Sequence, residues 1–108
     1  MKRILTNEDN SSRSGPHRRV EKILDAMDIS YLSEERYAPY TLDIFLPEWH
    51  IAIEVDGPLH SVKKDQVRDT WFLEAHGIPT LRLDAGWLKT ESVKAKIRET
   101  KRRQAEEK

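Results

Sequence analysis

Asp43, followed eleven positions later by Glu54-Val55-Asp56 and then by Gly57 and His60, is the grouping in this sequence best suited to chemistry. Three carboxylates gathered on one partly enclosed surface repel one another, and a cation is the natural remedy. The chain has no cysteine, so the donors on offer are hard oxygens, which suit Mg²⁺ or Mn²⁺ rather than Zn²⁺. The competing interpretation is a solvated face whose acids pair with Lys or Arg.

Which interpretation holds depends on the strands that carry the acids. Residues 40–46 and 49–56 are rich in β-branched and aromatic side chains, alternate in polarity, and flank Pro47-Glu48, the pattern of a hairpin. With a two-residue turn, Leu46 would pair with Trp49. One face would then carry Leu42, Ile44, Leu46, Ile51, Ile53 and Val55, an apolar core surface. The other would carry Thr41, Asp43, Phe45, His50, Ala52, Glu54 and Asp56. In that register Asp43 lies opposite Ala52 and diagonal to Glu54, at the ~7–8 Å spacing from which two carboxylates can converge on one ion. A turn one residue longer or shorter would bury Asp43 or Glu54 in the apolar layer.

Around the hairpin, Val20, Ile23, Leu24 and Met27 repeat at helical spacing, and Ser14 and Pro16 suit the start of that helix. Residues 29–37 read as a first strand ended by Ala38-Pro39, and residues 62–76 as a second helix closed by Gly77. Residues 78–83 form a short strand, and Thr90 can cap a last helix with a thin seam of Val93 and Ile97. The order helix, three strands, helix, strand, helix predicts an α/β fold. It calls for a mixed sheet of about four strands flanked by helices, because a strand, helix, strand crossover leaves its strands parallel.

Length and charge fit one domain. Residues 1–13 are polar and aperiodic, a flexible lead-in, and residues 14–108 form a single unit with a basic C-terminal helix. No apolar run approaches the roughly 20 residues of a membrane span, and the basic start lacks a long apolar stretch, so the expected location is the cytoplasm. The formal net charge of zero is unevenly spread: residues 1–22 hold six bases and three acids, residues 94–108 seven and three, residues 25–62 one and eight. Basic ends that grip phosphate around an acidic, metal-neutralised centre would suit nucleic acid, although residues 94–108 also suit a solvated helix face.

The series Leu42-Asp43-Ile44-Phe45-Leu46-Pro47, Ile53-Glu54-Val55-Asp56-Gly57-Pro58-Leu59-His60, Arg68-Asp69 and Gly77-Ile78-Pro79-Thr80-Leu81-Arg82 resembles the PD-(D/E)XK, restriction-endonuclease-like superfamily. Within it the series is most similar to the very-short-patch-repair (Vsr-like) endonucleases and the phage homing endonucleases of that fold. The resemblance implies a metal-dependent DNA endonuclease, with Asp43 and Glu54 as metal ligands and the Val55 carbonyl as a third. Asp56 stands where the superfamily usually has lysine. Histidine takes part in the chemistry of Vsr-like relatives, which makes His60 the implied proton carrier. A role as a helix cap is the alternative for His60. The superfamily often adds an acid from its first helix, for which Glu21 is the candidate, one turn after His17. Asp65 and Asp69 could orient His60 or pair with Arg68. Arg18, Arg19, Lys63, Lys64, Arg102 and Arg103 are the candidate phosphate contacts.

Two rivals remain at this level. A nucleic-acid-binding module that kept the fold and lost activity would explain the missing lysine, but it has no need of clustered acids beside phosphate. A glycosidase using Glu54 and Asp56 lacks scaffold for a sugar cleft. In a domain this short, DNA specificity would be weak or would come from a second copy or an accessory partner.

Overall fold

A computed structural model describes residues 15–58 and 61–106. The predicted Ser14 cap and residues 1–13 fall outside that description, as does His60. The elements run α1 (Gly15–Ala26), β1 (Leu32–Tyr37), β2 (Tyr40–Leu46), β3 (Ile51–Asp56), α2 (Val62–His76), β4 (Thr80–Asp84) and α3 (Thr90–Glu106), with a 3₁₀ turn at Ala85–Trp87. The sheet order is β1-β2-β3-β4. Its first three strands are antiparallel, whereas β4, reached through the α2 crossover, is parallel to β3. No helix among the described residues is long and apolar enough to cross a membrane.

The element order and the limits of α2 agree with the sequence pattern. Ser61 Oγ accepts from the Lys64 amide at the start of α2, and Gly77 closes its end with φ +66° and an N–H that donates to the Leu73 carbonyl. Thr90, expected as a cap, is instead the first residue of α3, whose early amide at Val93 bonds to the Lys89 carbonyl.

Helices cover both sheet faces. On one, α1 and α3 bring Val20, Ile23, Leu24, Val93 and Ile97 against Ile44, Leu46, Ile51, Ile53 and Leu83. On the other, Phe72 of α2 and Ile78 meet Leu42, Phe45 and Ala52. Tyr37, Tyr40 and Trp71 pack beside this second cluster.

Two features of the expected hairpin are corrected. Leu46 pairs with Ile51, not Trp49, because the turn takes four residues, 47–50, and closes with His50 at φ +58° and its amide on the Leu46 carbonyl. The added length is two residues, so the odd-even pairing of faces survives. Continued by one step, the register brings Asp43 level with Glu54 instead of diagonal to it. Leu42, expected beside Ile44 and Leu46, packs with Phe45 on the opposite face. Residues three apart share a face only where alternation breaks. The break lies at Asp43, where the β1–β2 ladder skips the Glu34 and Asp43 level and Glu34 has φ +56°.

Candidate active site

At this break β2 and β3 are joined through side chains. The Asp43 amide donates to Glu54 Oε2 at 2.9 Å, and the Val55 amide donates to Asp43 Oδ2, also at 2.9 Å. Each carboxylate satisfies a backbone donor of the other strand, which fixes both acids on rigid extended backbone. In an extended strand a residue's N–H and C=O point the same way, so the Val55 carbonyl also faces the β2 side of the strand.

Glu54 is 3% exposed. Burial, and then the negative charge of Asp43, push its carboxyl up to about 7, against the opposing pull of Arg68, the Asp43 amide and Arg82. Two neighbouring carboxylates with surplus negative charge suit Mg²⁺, which takes one or two carboxylates and keeps several waters. Among the described residues, no three His, Asp or Glu side chains come together as one ion-holding group. The expected trio is therefore a pair.

Asp56 leaves the trio for Arg82. The Arg82 Nη1 atom lies 2.7 Å from Asp56 Oδ1 and 3.5 Å from Asp65, while Nε and Nη2 bond both oxygens of Asp69 at 2.8 and 2.6 Å. Burial opposes the charge on Arg82, but hydrogen bonding to Asp69 and the charges of Asp69, Asp56 and Asp65 outweigh it and drive its pKa upward. Asp65 and Asp69 thus pair with Arg82, not with Arg68 as expected. Arg68 goes to Glu54, with Nη1 2.9 Å from Oε1. Arg82 was visible only as part of a motif, yet its place between the inward Leu81 and Leu83 already put it on the Glu54 face.

Glu21 is buried on α1, where its Oε2 accepts from Ser33 Oγ and lies 3.2 Å from His17 Nε2. Ser33 pairs with Ile44, next to Asp43, so the contact of Glu21 falls on β1, the strand beside β2. Sequence reasoning missed Ser33.

Of the candidate phosphate contacts, Lys63 and Lys64 are exposed in the first turn of α2 and line an open groove of about 580 Å³ with Tyr40, Asp65, Val67 and Arg68. Arg18 and Arg19 are exposed on α1, and Arg19 Nη1 donates to the Leu88 carbonyl at 3.4 Å. Arg102 and Arg103 lie on exposed α3 in ion pairs with Glu99, and Arg102 also with Glu106. Such surface pairs are weak and readily exchanged.

No family model and no curated protein matches the chain. Among solved structures it is similar to the catalytic domain of the homing endonuclease I-Bth0305I, with a TM-score of 0.62 and 29% sequence identity over 82% of this chain and 93% of that one. The fold is nuclease-like.

Proposed function

We propose that the chain is a divalent-metal-dependent DNA endonuclease of the PD-(D/E)XK, Vsr-like kind that hydrolyses phosphodiester bonds. The observation that carries this reading is the locked pair of Asp43 and Glu54 on adjacent central strands, in a fold shared with a homing endonuclease catalytic domain. Bound there, Mg²⁺ or Mn²⁺ supplies a water of lowered pKa and offsets charge on the scissile phosphate. Asp43, Glu54 and the Val55 carbonyl would hold the ion. Lys63 and Lys64 would receive the DNA backbone in the groove beside them, and Arg18 and Arg19 would extend that contact. Asp56, sealed by Arg82, maintains the β3–β4 end of the site instead of carrying a proton. His60, four residues beyond Asp56, is the proposed proton carrier. Arg102 and Arg103 would join the phosphate contacts by exchanging their glutamates.

The test is incubation of supercoiled plasmid with wild type, Asp43→Ala and Glu54→Ala, each with Mg²⁺, Mn²⁺ or EDTA. Metal-dependent nicking by wild type alone supports the reading. DNA binding without cleavage under every condition favours a binding module that kept the fold.

A further inference from the structure

Arg68 reaches from the middle of α2 to the sheet, where Nη1 meets Glu54 Oε1 and Nη2 donates to the backbone carbonyl of Thr41, two residues before Asp43. The guanidinium lies over the rings of Tyr40 and Phe72, 5.6 and 5.7 Å from their centroids. Its Nε is buried without a hydrogen-bond partner among the described residues. Glu54 Oε2 accepts from the Asp43 amide and Oε1 meets the guanidinium, so an ion shared with Asp43 must compete with Arg68 for the charge of this carboxylate.

We propose that Arg68 is the resident counter-ion of the metal-free site and a phosphate-positioning residue of the metal-loaded one. A divalent cation arriving between Asp43 and Glu54 displaces the guanidinium from Glu54, and the side chain turns into the groove of Tyr40, Lys63, Lys64 and Val67 to meet a DNA phosphate. This inference rests on the metal-dependent nuclease reading.

Three observations support it. A guanidinium and a divalent ion on the same carboxylate repel one another, so arrival of the ion weakens the hold of Glu54 on Arg68. The groove opens directly beside Arg68 and already carries two exposed lysines. The unmet Nε donor leaves Arg68 short of full hydrogen bonding where it now sits, while its planar fork matches a phosphate. The device keeps Glu54 neutralised without metal and couples metal arrival to the release of a phosphate ligand.

The experiment is a calorimetric Mn²⁺ titration of wild type, Arg68→Met, Arg68→Lys and Asp43→Asn, paired with cleavage kinetics at saturating Mn²⁺. Met keeps the stem over the two rings and removes the charge; Arg68→Gln takes its place should the Met variant not fold. The neutral variant should bind Mn²⁺ about tenfold more tightly, because a competing cation is gone. Its KM for DNA should rise about tenfold, with partial recovery in Arg68→Lys, which restores the charge without the fork. A merely structural arginine would leave metal affinity unchanged or weakened on removal, and either result overturns the proposal, as does an unaltered KM. Wild type that binds Mn²⁺ no better than Asp43→Asn would overturn the nuclease reading itself, whereas Asp43-dependent binding indifferent to Arg68 overturns only this inference.

Discussion

The amide of Asp43 donates to the Glu54 carboxylate while the carboxylate of Asp43 accepts from the amide after Glu54, both at 2.9 Å. This exchange makes the two acids part of the sheet's hydrogen bonding as well as its surplus charge. Their structural and chemical roles can be separated by substitution.

Asp43→Asn keeps an oxygen for the Val55 amide and discards the charge. Asp43→Ala discards both and orphans a partly buried donor, which costs about 1–3 kcal/mol. Urea unfolding should place Asn close to wild type and Ala below it. Both variants should lose plasmid cleavage by about a hundredfold or more. An Asn variant that unfolds as easily as Ala would show that the Val55 contact contributes nothing.

The pH dependence follows from Glu54, whose carboxyl moves from 4.5 to about 7 on folding. Between those values the folded chain holds a proton that the unfolded chain has released. The contribution of Glu54 to stability is therefore complete below pH 4.5, declines as pH rises toward 7, and is lost above it. Unfolding in EDTA should show wild type losing about 1–3 kcal/mol relative to Glu54→Gln across this window. A constant difference between the two proteins from pH 4 to 8 would refute the shift.

Much of this site could be read from the residues. Alternation in β2 and β3 put Asp43 and Glu54 in reach of each other, and this survived a wrong turn length because the error was two residues, which preserves facing. The turn itself was hidden, since nothing local announces that His50 takes φ +58°. Leu42 was misplaced for a related reason: the break at Glu34 and Asp43 belongs to two strands together and leaves no mark in either alone. The partners of the charged groups were least legible. Arg68 and Arg82 both face acids, and which acid each receives depends on how α2 lies across β3 and β4, a tertiary fact.

Arg82 holds three acids, so Arg82→Met should leave Asp56, Asp65 and Asp69 repelling one another. All four side chains retain some solvent contact, which reduces the loss to about 2 kcal/mol at pH 7. The loss should shrink near pH 4 as the acids take up protons. Thermal unfolding at the two pH values measures it, and an equal loss at both would point to packing instead of charge.

Lys63 and Lys64 line a groove together with Arg68, the partner of Glu54, whereas Arg102 and Arg103 are tied to glutamates on α3. Replacing both lysines with Ala should reduce the slope of log affinity for duplex DNA against log salt by about 2. Replacing both arginines should change it by less, because each must first exchange its ion pair. Fluorescence anisotropy over a salt series gives both slopes, and a larger effect from the arginines would move the DNA path to α3.

A single ion shared by Asp43 and Glu54 is most directly tested by electron paramagnetic resonance of Mn²⁺ bound to wild type, Asp43→Asn and Glu54→Gln, each confirmed as folded. The expected result is one bound ion per wild-type chain and loss of that ion in either variant. Retention of the same bound Mn²⁺ in both would contradict it.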